Sequence, residues 1–108
     1  MIFELTVTIP HDHASLTGHF PNNPIVPGVV ILGEVLKTLR QRDNCAIKVL
    51  GSPSIKFLAP LRPGESMAIR LETSCVGEVM FSCSSHEQLI ADGSIEYYII
   101  PTGPNENQ

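Results

Sequence analysis

The sequence is poor in the features that mark several protein classes. It contains only three cysteines, without any Cys-x-x-Cys spacing: Cys45, Cys75 and Cys83. An odd set without that spacing argues against both a disulfide framework and a zinc site, so we interpret the three as free thiols in or near the core. No apolar run approaches the roughly 20 residues that span a bilayer, which argues against a membrane protein.

The first residues do not have the pattern of a secretory signal peptide. The stretch MIFELTVTIP has neither the positively charged start nor the small-residue cleavage site of a secretory leader, and we expect a cytoplasmic protein. The net charge is -4, which argues against nucleic acid as a partner. With 43% hydrophobic and 17% charged residues, the composition is that of a folded domain.

Positive charge is concentrated in one part of the sequence. All seven lysines and arginines lie between Lys37 and Arg70, together with only two of the eleven acidic residues. This basic stretch could present a face to an acidic partner. Alternatively, Lys37, Arg40 and Arg42 only complement the negative end of a helix dipole.

The hydrophobic periodicity predicts one helix and six strands. Residues 2–9 alternate between apolar and polar as a half-buried strand does, and the apolar spacing from Val29 to Leu39 predicts a helix over about 28–42. Further strands are predicted at about 46–50, 53–59, 66–73, 79–84 and 88–99. The first turns of the helix are apolar all round, which favours a central helix surrounded by sheet.

These elements predict one small α+β domain, in which a curved antiparallel sheet wraps the single central helix. We expect the domain to occupy residues 1–100. The tail, residues 101–108, should be disordered because it has no apolar residue beyond its prolines.

The stretch GHFPNNPIVPGVV, residues 18–30, carries the chemistry. Its prolines and glycine fix the backbone just before a buried helix. Gly28 lets a ligand approach the first free helical amides, which can polarise a carbonyl oxygen. His19 can accept a proton at neutral pH, so the pair suits proton abstraction next to a carbonyl. The alternatives are a purely structural histidine and a glycine required only for helix–sheet packing.

Residues 18–30 resemble the active-site signature of the 3-hydroxyacyl-acyl-carrier-protein dehydratases, which have the hot-dog fold, and residues 55–65 (IKFLAPLRPGE) resemble the strand and turn that follow the helix in that family. The resemblance implies that His19 is the general base at the α-carbon and that the amide of Gly28 binds the thioester oxygen. We assign four further residues to the substrate-binding surface: Phe20, Pro27, Val29 and Gly33.

The same resemblance implies partners. Hot-dog subunits of this family pair into dimers, and each active site combines a histidine of one subunit with a helix carboxylate of the other. We therefore expect a homodimer or higher homo-oligomer that acts on an acyl thioester or on acyl carrier protein, which is acidic and would suit the basic stretch. No cofactor and no metal is expected, because His11, Asp12 and His13 have no further ligands nearby in the sequence.

The sequence departs from the family pattern at the acid. The family's carboxylate lies fourteen residues after the histidine, where this chain has Gly33. Glu34 is a weak substitute, because one helical step rotates a side chain by about 100°. The sequence thus favours a dehydratase but leaves open an impaired acyl-binding accessory protein or a thioesterase. It does not determine the acyl chain length or the pathway.

Overall fold

A computed structural model of the chain describes residues 2–10, 25–51, 53–75 and 77–100. The elements follow in the order β1 (Ile2–Thr8), α1 (Gly28–Asp43), β2 (Ile47–Val49), β3 (Ser54–Phe57), β4 (Ser66–Cys75), β5 (Glu78–Ser85) and β6 (Gln88–Ile99). The predicted helix and the six predicted strands are confirmed, with ends that differ from prediction by at most two residues.

The strands form one curled antiparallel sheet in the order β1-β4-β5-β6-β2, with β3 also paired to β6. β6 pairs with β5 along one edge, and its other edge takes β3 at residues 91–94 and β2 at residues 97–99. Register shifts interrupt the β4–β5 and β5–β6 pairs, and such irregularities increase the local bend of a strand. The α+β prediction is confirmed.

The core lies between α1 and one face of the sheet. The helix buries residues spaced by one and two turns: Ile31, Val35, Thr38 and Leu39. Alternate residues of β4 and β5 meet them, each at most 3% exposed: Met67, Ile69, Leu71, Val79, Phe81 and Cys83. Each large apolar side chain buried in this way contributes about 1.5–3 kcal/mol of transfer free energy, so this single layer contact holds the domain together.

Gly93 of β6 lies where the backbone of β3 approaches closely. A Cβ built on Gly93 would overlap the carbonyl oxygen of Ser54 and lie 2.9 Å from the Cα of Ile55, which is the residue that pairs with Gly93. Only a residue without a side chain permits this approach. Gly93 therefore determines where β3 lies relative to β6.

The turn between β5 and β6 has two residues, His86 and Glu87, with positive φ of 53° and 62°. Two consecutive residues in this conformation form the type I′ turn that matches the twist of a hairpin, although glycine or asparagine usually occupies it. The His86 side chain is 75% exposed, and its Nε2 lies 3.7 Å from Glu65 Oε2. The hairpin thus closes with a backbone that its residue types do not favour.

The prediction that the three cysteines are free thiols is confirmed, but the prediction that all three lie in or near the core is wrong for Cys75. All three cysteines are free, Cys83 is buried and Cys45 is partly buried, but Cys75 is exposed. A register shift between Thr73 and Cys75 interrupts the alternation that buries Leu71, and Cys75 falls outside the core pattern.

The predicted central helix wrapped by a curved sheet is confirmed, and within this chain the sheet leaves part of the helix start uncovered. Val29 is 78% exposed, and Gly33, one turn later on the same face, is exposed as well. The sheet covers only the opposite face, which carries Ile31 and Val35. One face of the helix start therefore remains open.

Some predictions fall on residues that the structure does not describe. These are the tail, residues 101–108, and the segment 11–24 with its three histidines. The assignment of residues 1–100 to one domain stays a prediction. Within the described ranges, no helix has the length and apolar content needed to cross a membrane.

Candidate functional site

The site is built at the start of α1, where the chain enters the helix from an extended segment. The amide of Val26 donates to the carbonyl oxygen of Leu61 at 2.7 Å and holds the segment against the residues that follow β3. Pro27 precedes the helix with φ -60° and ψ 148°, and its carbonyl oxygen accepts from the amides of Val30 and Ile31 at 3.0 and 3.3 Å. Pro27 thus caps the helix through its backbone.

The amides of Gly28 and Val29 come before those two bonded amides. In the described part of the chain, no group accepts a hydrogen bond from either of them. Free amides at a helix start carry partial positive charge and can donate to a carbonyl oxygen or an oxyanion. This is the geometry that the proposed role of Gly28 requires.

Gly28 also has a packing role. A Cβ built on Gly28 would lie 2.5 Å from the Cζ of Phe57 and 3.0 Å from two further ring atoms. The phenyl ring therefore occupies the space that a side chain at position 28 would need. This contact supports the packing alternative for the glycine, and it leaves the amide available.

An apolar groove of about 450 Å³ opens at this point. We call it the helix-start groove; residues 25, 26, 28, 31 and 57–61 line it. All nine are apolar, so the groove suits a hydrocarbon chain better than a charged ligand. It lies between the start of α1 and the end of β3.

The structure places the predicted site residues in different surroundings. Gly28 lines the groove and Pro27 caps the helix, whereas Val29 and Gly33 lie on the exposed helix face. His19 and Phe20 lie outside the described residues, and their roles remain predictions.

Glu34 does not join Gly28 at the groove. Its carboxylate oxygen lies 3.5 Å from Lys37 Nζ, and the Glu34 side chain is 18% exposed. Because the Lys37 side chain is 67% exposed, the ion pair adds little stability, but it engages the Glu34 carboxylate on the flank of the helix. Position 33 has more room, because apart from the helix backbone no described atom lies within 4 Å of a Cβ built there.

The structure adds Phe57 to the candidate site. The sequence placed it in a motif and on a strand but did not assign it to the pocket. Its signal was the alternation of β3, which puts Ile55 and Phe57 on one face. Its contact with Gly28, which lies 29 residues earlier, could not be read from local pattern.

A second polar cluster lies at the other end of α1. Arg42 donates to Asp43 Oδ1 at 2.9 Å, to Thr73 Oγ1 at 2.6 Å and to the hydroxyl of Tyr97 at 2.8 Å. Burial alone would lower the pKa of Arg42, but the hydrogen bond and charge of Asp43 outweigh it and raise that pKa. Burial raises the pKa of Tyr97, and Arg42 opposes that shift. Arg42 ties the helix end to the sheet, so it does not belong to a free basic face.

Metal binding finds no support among the described side chains. No group of three His, Cys, Asp or Glu residues within the described ranges could hold an ion.

Known structures with the same architecture define the class. The solved dehydratase heterocomplex ApeI:P from Xenorhabdus doucetiae is similar with a TM-score of 0.77 at 20% identity, over 90% of this chain and 87% of that one. The single helix and curled antiparallel sheet are therefore a hot-dog fold, as the resemblance predicted.

Sequence comparison shows the family to which the chain belongs. The model of the ApeI-like family (ApeI dehydratase) matches residues 2–94, so the chain belongs to this dehydratase family. It is also 29% identical over 96 residues to the 3-hydroxyacyl-[acyl-carrier-protein] dehydratase FabZ of Chlamydia muridarum, and 33% identical over 95 residues to FabZ of a Wolbachia species from Drosophila simulans. The matches cover 77% and 72% of this chain, and 63% and 62% of those relatives.

Proposed function

We propose that this chain is a hydro-lyase that removes water from a 3-hydroxyacyl group carried by acyl carrier protein, in fatty-acyl or related lipid biosynthesis. The observation that carries the proposal is the pair of amides at Gly28 and Val29, free within the described ranges, beside an apolar groove. Membership of the ApeI-like dehydratase family supports it, as do the two FabZ relatives.

The proposed reaction uses few protein groups. The imidazole of His19 takes a proton from the α-carbon of the thioester, and the electron pair moves onto the carbonyl oxygen, which the Gly28 amide stabilises. The returning electron pair forms the double bond between the α- and β-carbons and expels the β-hydroxyl. That hydroxyl takes up a proton and leaves as water, and a 2-enoyl thioester remains.

The proton for the departing hydroxyl needs a donor. Glu34 is engaged by Lys37, and Gly33 has no acidic group. Because Val29 and Gly33 lie on an exposed helix face, we propose that this face meets a second chain. A carboxylate at position 33 would then point out of its own chain and serve a neighbouring site. The solved dehydratase heterocomplex ApeI:P supports the association of a chain with this fold with a second chain.

The carrier would dock near the mouth of the helix-start groove. Lys56 and Arg62 are exposed and adjoin the groove residues Phe57 and Leu61 in the sequence. Positive charge in this part of the chain would favour the approach of an acidic carrier. In this proposal the basic stretch helps to bind the carrier, although Arg42 is bonded to Asp43, Thr73 and Tyr97.

The matched family and both relatives are dehydratases, so the comparisons do not favour a thioesterase or an impaired accessory protein. The three functions differ in their products. A dehydratase forms an enoyl thioester, a thioesterase releases a free thiol, and an accessory protein binds without turnover.

The test is a spectrophotometric assay of water removal from a carrier-linked 3-hydroxyacyl substrate, with a thiol-release assay alongside. His19→Ala should lower the rate about 10²–10⁴-fold, and Gly33→Asp should raise the rate of the wild type by a similar factor. Position 33 has space for the new side chain. The carrier-linked substrate should show a lower KM than a small thioester without carrier. Glu72→Gln, on the exposed face of β4, is the control.

Three results would contradict the proposal. If a folded His19→Ala protein still dehydrates the substrate, His19 is not the general base. Release of a thiol without an enoyl product would indicate a thioesterase. If neither the wild type nor folded Gly33→Asp dehydrates the substrate, the chain is an acyl-binding protein.

A further inference from the structure

The ring of Phe57 lies directly over the backbone of Gly28. Its Cζ and both Cε atoms are within 3.0 Å of the position that a Cβ of Gly28 would take. The ring therefore covers the first residue of α1, next to the amide that the proposed function uses.

Phe57 separates two apolar cavities. On one side is the helix-start groove of about 450 Å³. On the other side lies a pocket of about 290 Å³, which we call the β3 pocket; Gly28, Val29, Leu32, Ile55 and Phe57 line it. Gly28 and Phe57 are the two residues that both cavities share. The contact between them is therefore the partition.

The backbone of Phe57 is fixed, whereas its side chain has room. Phe57 pairs with Ala91 of β6, and the amide of Leu58 donates to the carbonyl oxygen of Ile90 at 2.8 Å. Half of the Phe57 residue is exposed to solvent. Rotation of the ring toward solvent would therefore leave the strand pairing intact and join the two cavities.

We propose that Phe57 selects substrates by acyl chain length, which deepens the proposed function and rests on it. With the thioester carbonyl at the Gly28 amide, a short acyl chain fits in one cavity with the ring in place. A longer chain has to pass Gly28 and therefore displaces the ring. The free-energy cost of displacing the ring lowers kcat/KM for long acyl groups. The wild type therefore prefers short ones.

The experiment compares Phe57→Ala with the wild type on 3-hydroxyacyl thioesters of four, eight and twelve carbons. The ratio of kcat/KM for the longest over the shortest substrate should rise about ten-fold or more, because hydrophobic pockets discriminate on that scale. Leu89→Ala is the matched control, since Leu89 is 40% exposed and lines neither cavity. Its ratio should equal that of the wild type.

A second measurement does not depend on turnover. Binding of saturated acyl-pantetheine thioesters of four and twelve carbons, followed by calorimetry, should show the same gain for the long chain in Phe57→Ala. If no form of the protein turns over but this gain appears, the dehydratase proposal fails and the role of Phe57 stands. Equal changes for both chain lengths, in binding and in kcat/KM, would overturn the role of Phe57.

The contact itself can be tested by a double-mutant cycle. Gly28→Ala should destabilise the wild type, because its Cβ meets the ring, and should destabilise the Phe57→Ala protein less. Urea unfolding of the four proteins measures this coupling. Additive effects would show that the ring does not cover Gly28 and would also overturn the proposal.

Discussion

At the scale of single residues, several positions combine a structural demand with a chemical one. Position 28 needs a glycine because the ring of Phe57 fills the space of a side chain there. The amide of Gly28 stays free within the described ranges. The sequence indicated that position 28 must be small, but the reason came from a residue on another element. Cys83 is a similar case, because it fills the core with a group that is able to ionise.

Cys83 makes stability depend on pH in the alkaline range. Burial raises the pKa of the Cys83 thiol from 9.0 to about 12, and the charge of Asp92 adds to the shift. The unfolded thiol therefore ionises first, so the stabilisation is complete below pH 9 and is lost as pH rises toward 12. Between pH 8 and pH 10 the free energy of unfolding of the wild type should fall by about 1.4 kcal/mol more than that of Cys83→Ala.

Urea unfolding at the two pH values measures this difference. Cys75→Ala, which removes an exposed thiol, is the control and should behave as the wild type does. An identical loss in wild type and Cys83→Ala would show that the Cys83 thiol ionises equally in both states.

At the scale of elements, periodicity was a sufficient guide wherever one face of an element is buried. Met67, Ile69 and Leu71 alternate in sequence as they do in β4, and Ile31, Val35 and Leu39 follow the buried face of α1. The pattern failed where the cause is not local. The partners of Arg42 lie 31 and 55 residues away. Val29 is exposed although it is as apolar a residue as the buried Val35.

The β5–β6 turn offers a test at this scale. Left-handed backbone costs a residue with a side chain about 1–2 kcal/mol, and Glu87 adopts it with φ 62°. Glu87→Gly should therefore raise the free energy of unfolding by about 0.5–1 kcal/mol after the entropy of glycine in the unfolded chain is subtracted.

The urea midpoint of the variant measures the gain. Gln88→Gly, which places glycine in the first position of β6, should lower the midpoint instead. A lower midpoint for Glu87→Gly would mean that the turn is not strained at this residue.

At the scale of the whole molecule, the described residues do not supply every group that the proposed reaction uses. The fold, the helix-start groove and Gly28 under the Phe57 ring all lie within this chain. The sequence predicted the fold well. Among the described residues, Gly33 has no side chain that could act as the proposed acid, and the helix face with Val29 and Gly33 is exposed. His19 lies outside the described residues, and its role as the base stays a prediction.

We expect the open face to form a dimer of this chain. Val29, the most exposed of its large apolar residues at 78%, should lie at the contact. Val29→Lys would place an unpaired charge there and should raise the dimer Kd roughly ten-fold or more. Sedimentation velocity over a range of concentrations gives this Kd.

Met80→Lys is the matched control, because Met80 is also an exposed apolar residue, at 46%, but lies on β5. It should leave the Kd unchanged. A wild type that stays monomeric at high concentration, or equal Kd values for wild type and Val29→Lys, would exclude the helix face as the dimer contact.

The close backbone crossing at Gly93 has a consequence for natural variation. β3 leaves this crossing at Ile55 and reaches Phe57 two residues later, so a side chain at position 93 would push the strand outward and carry the phenyl ring with it. If Phe57 selects the acyl chain as proposed, a substitution of Gly93 would change that selection from a position that lines neither cavity.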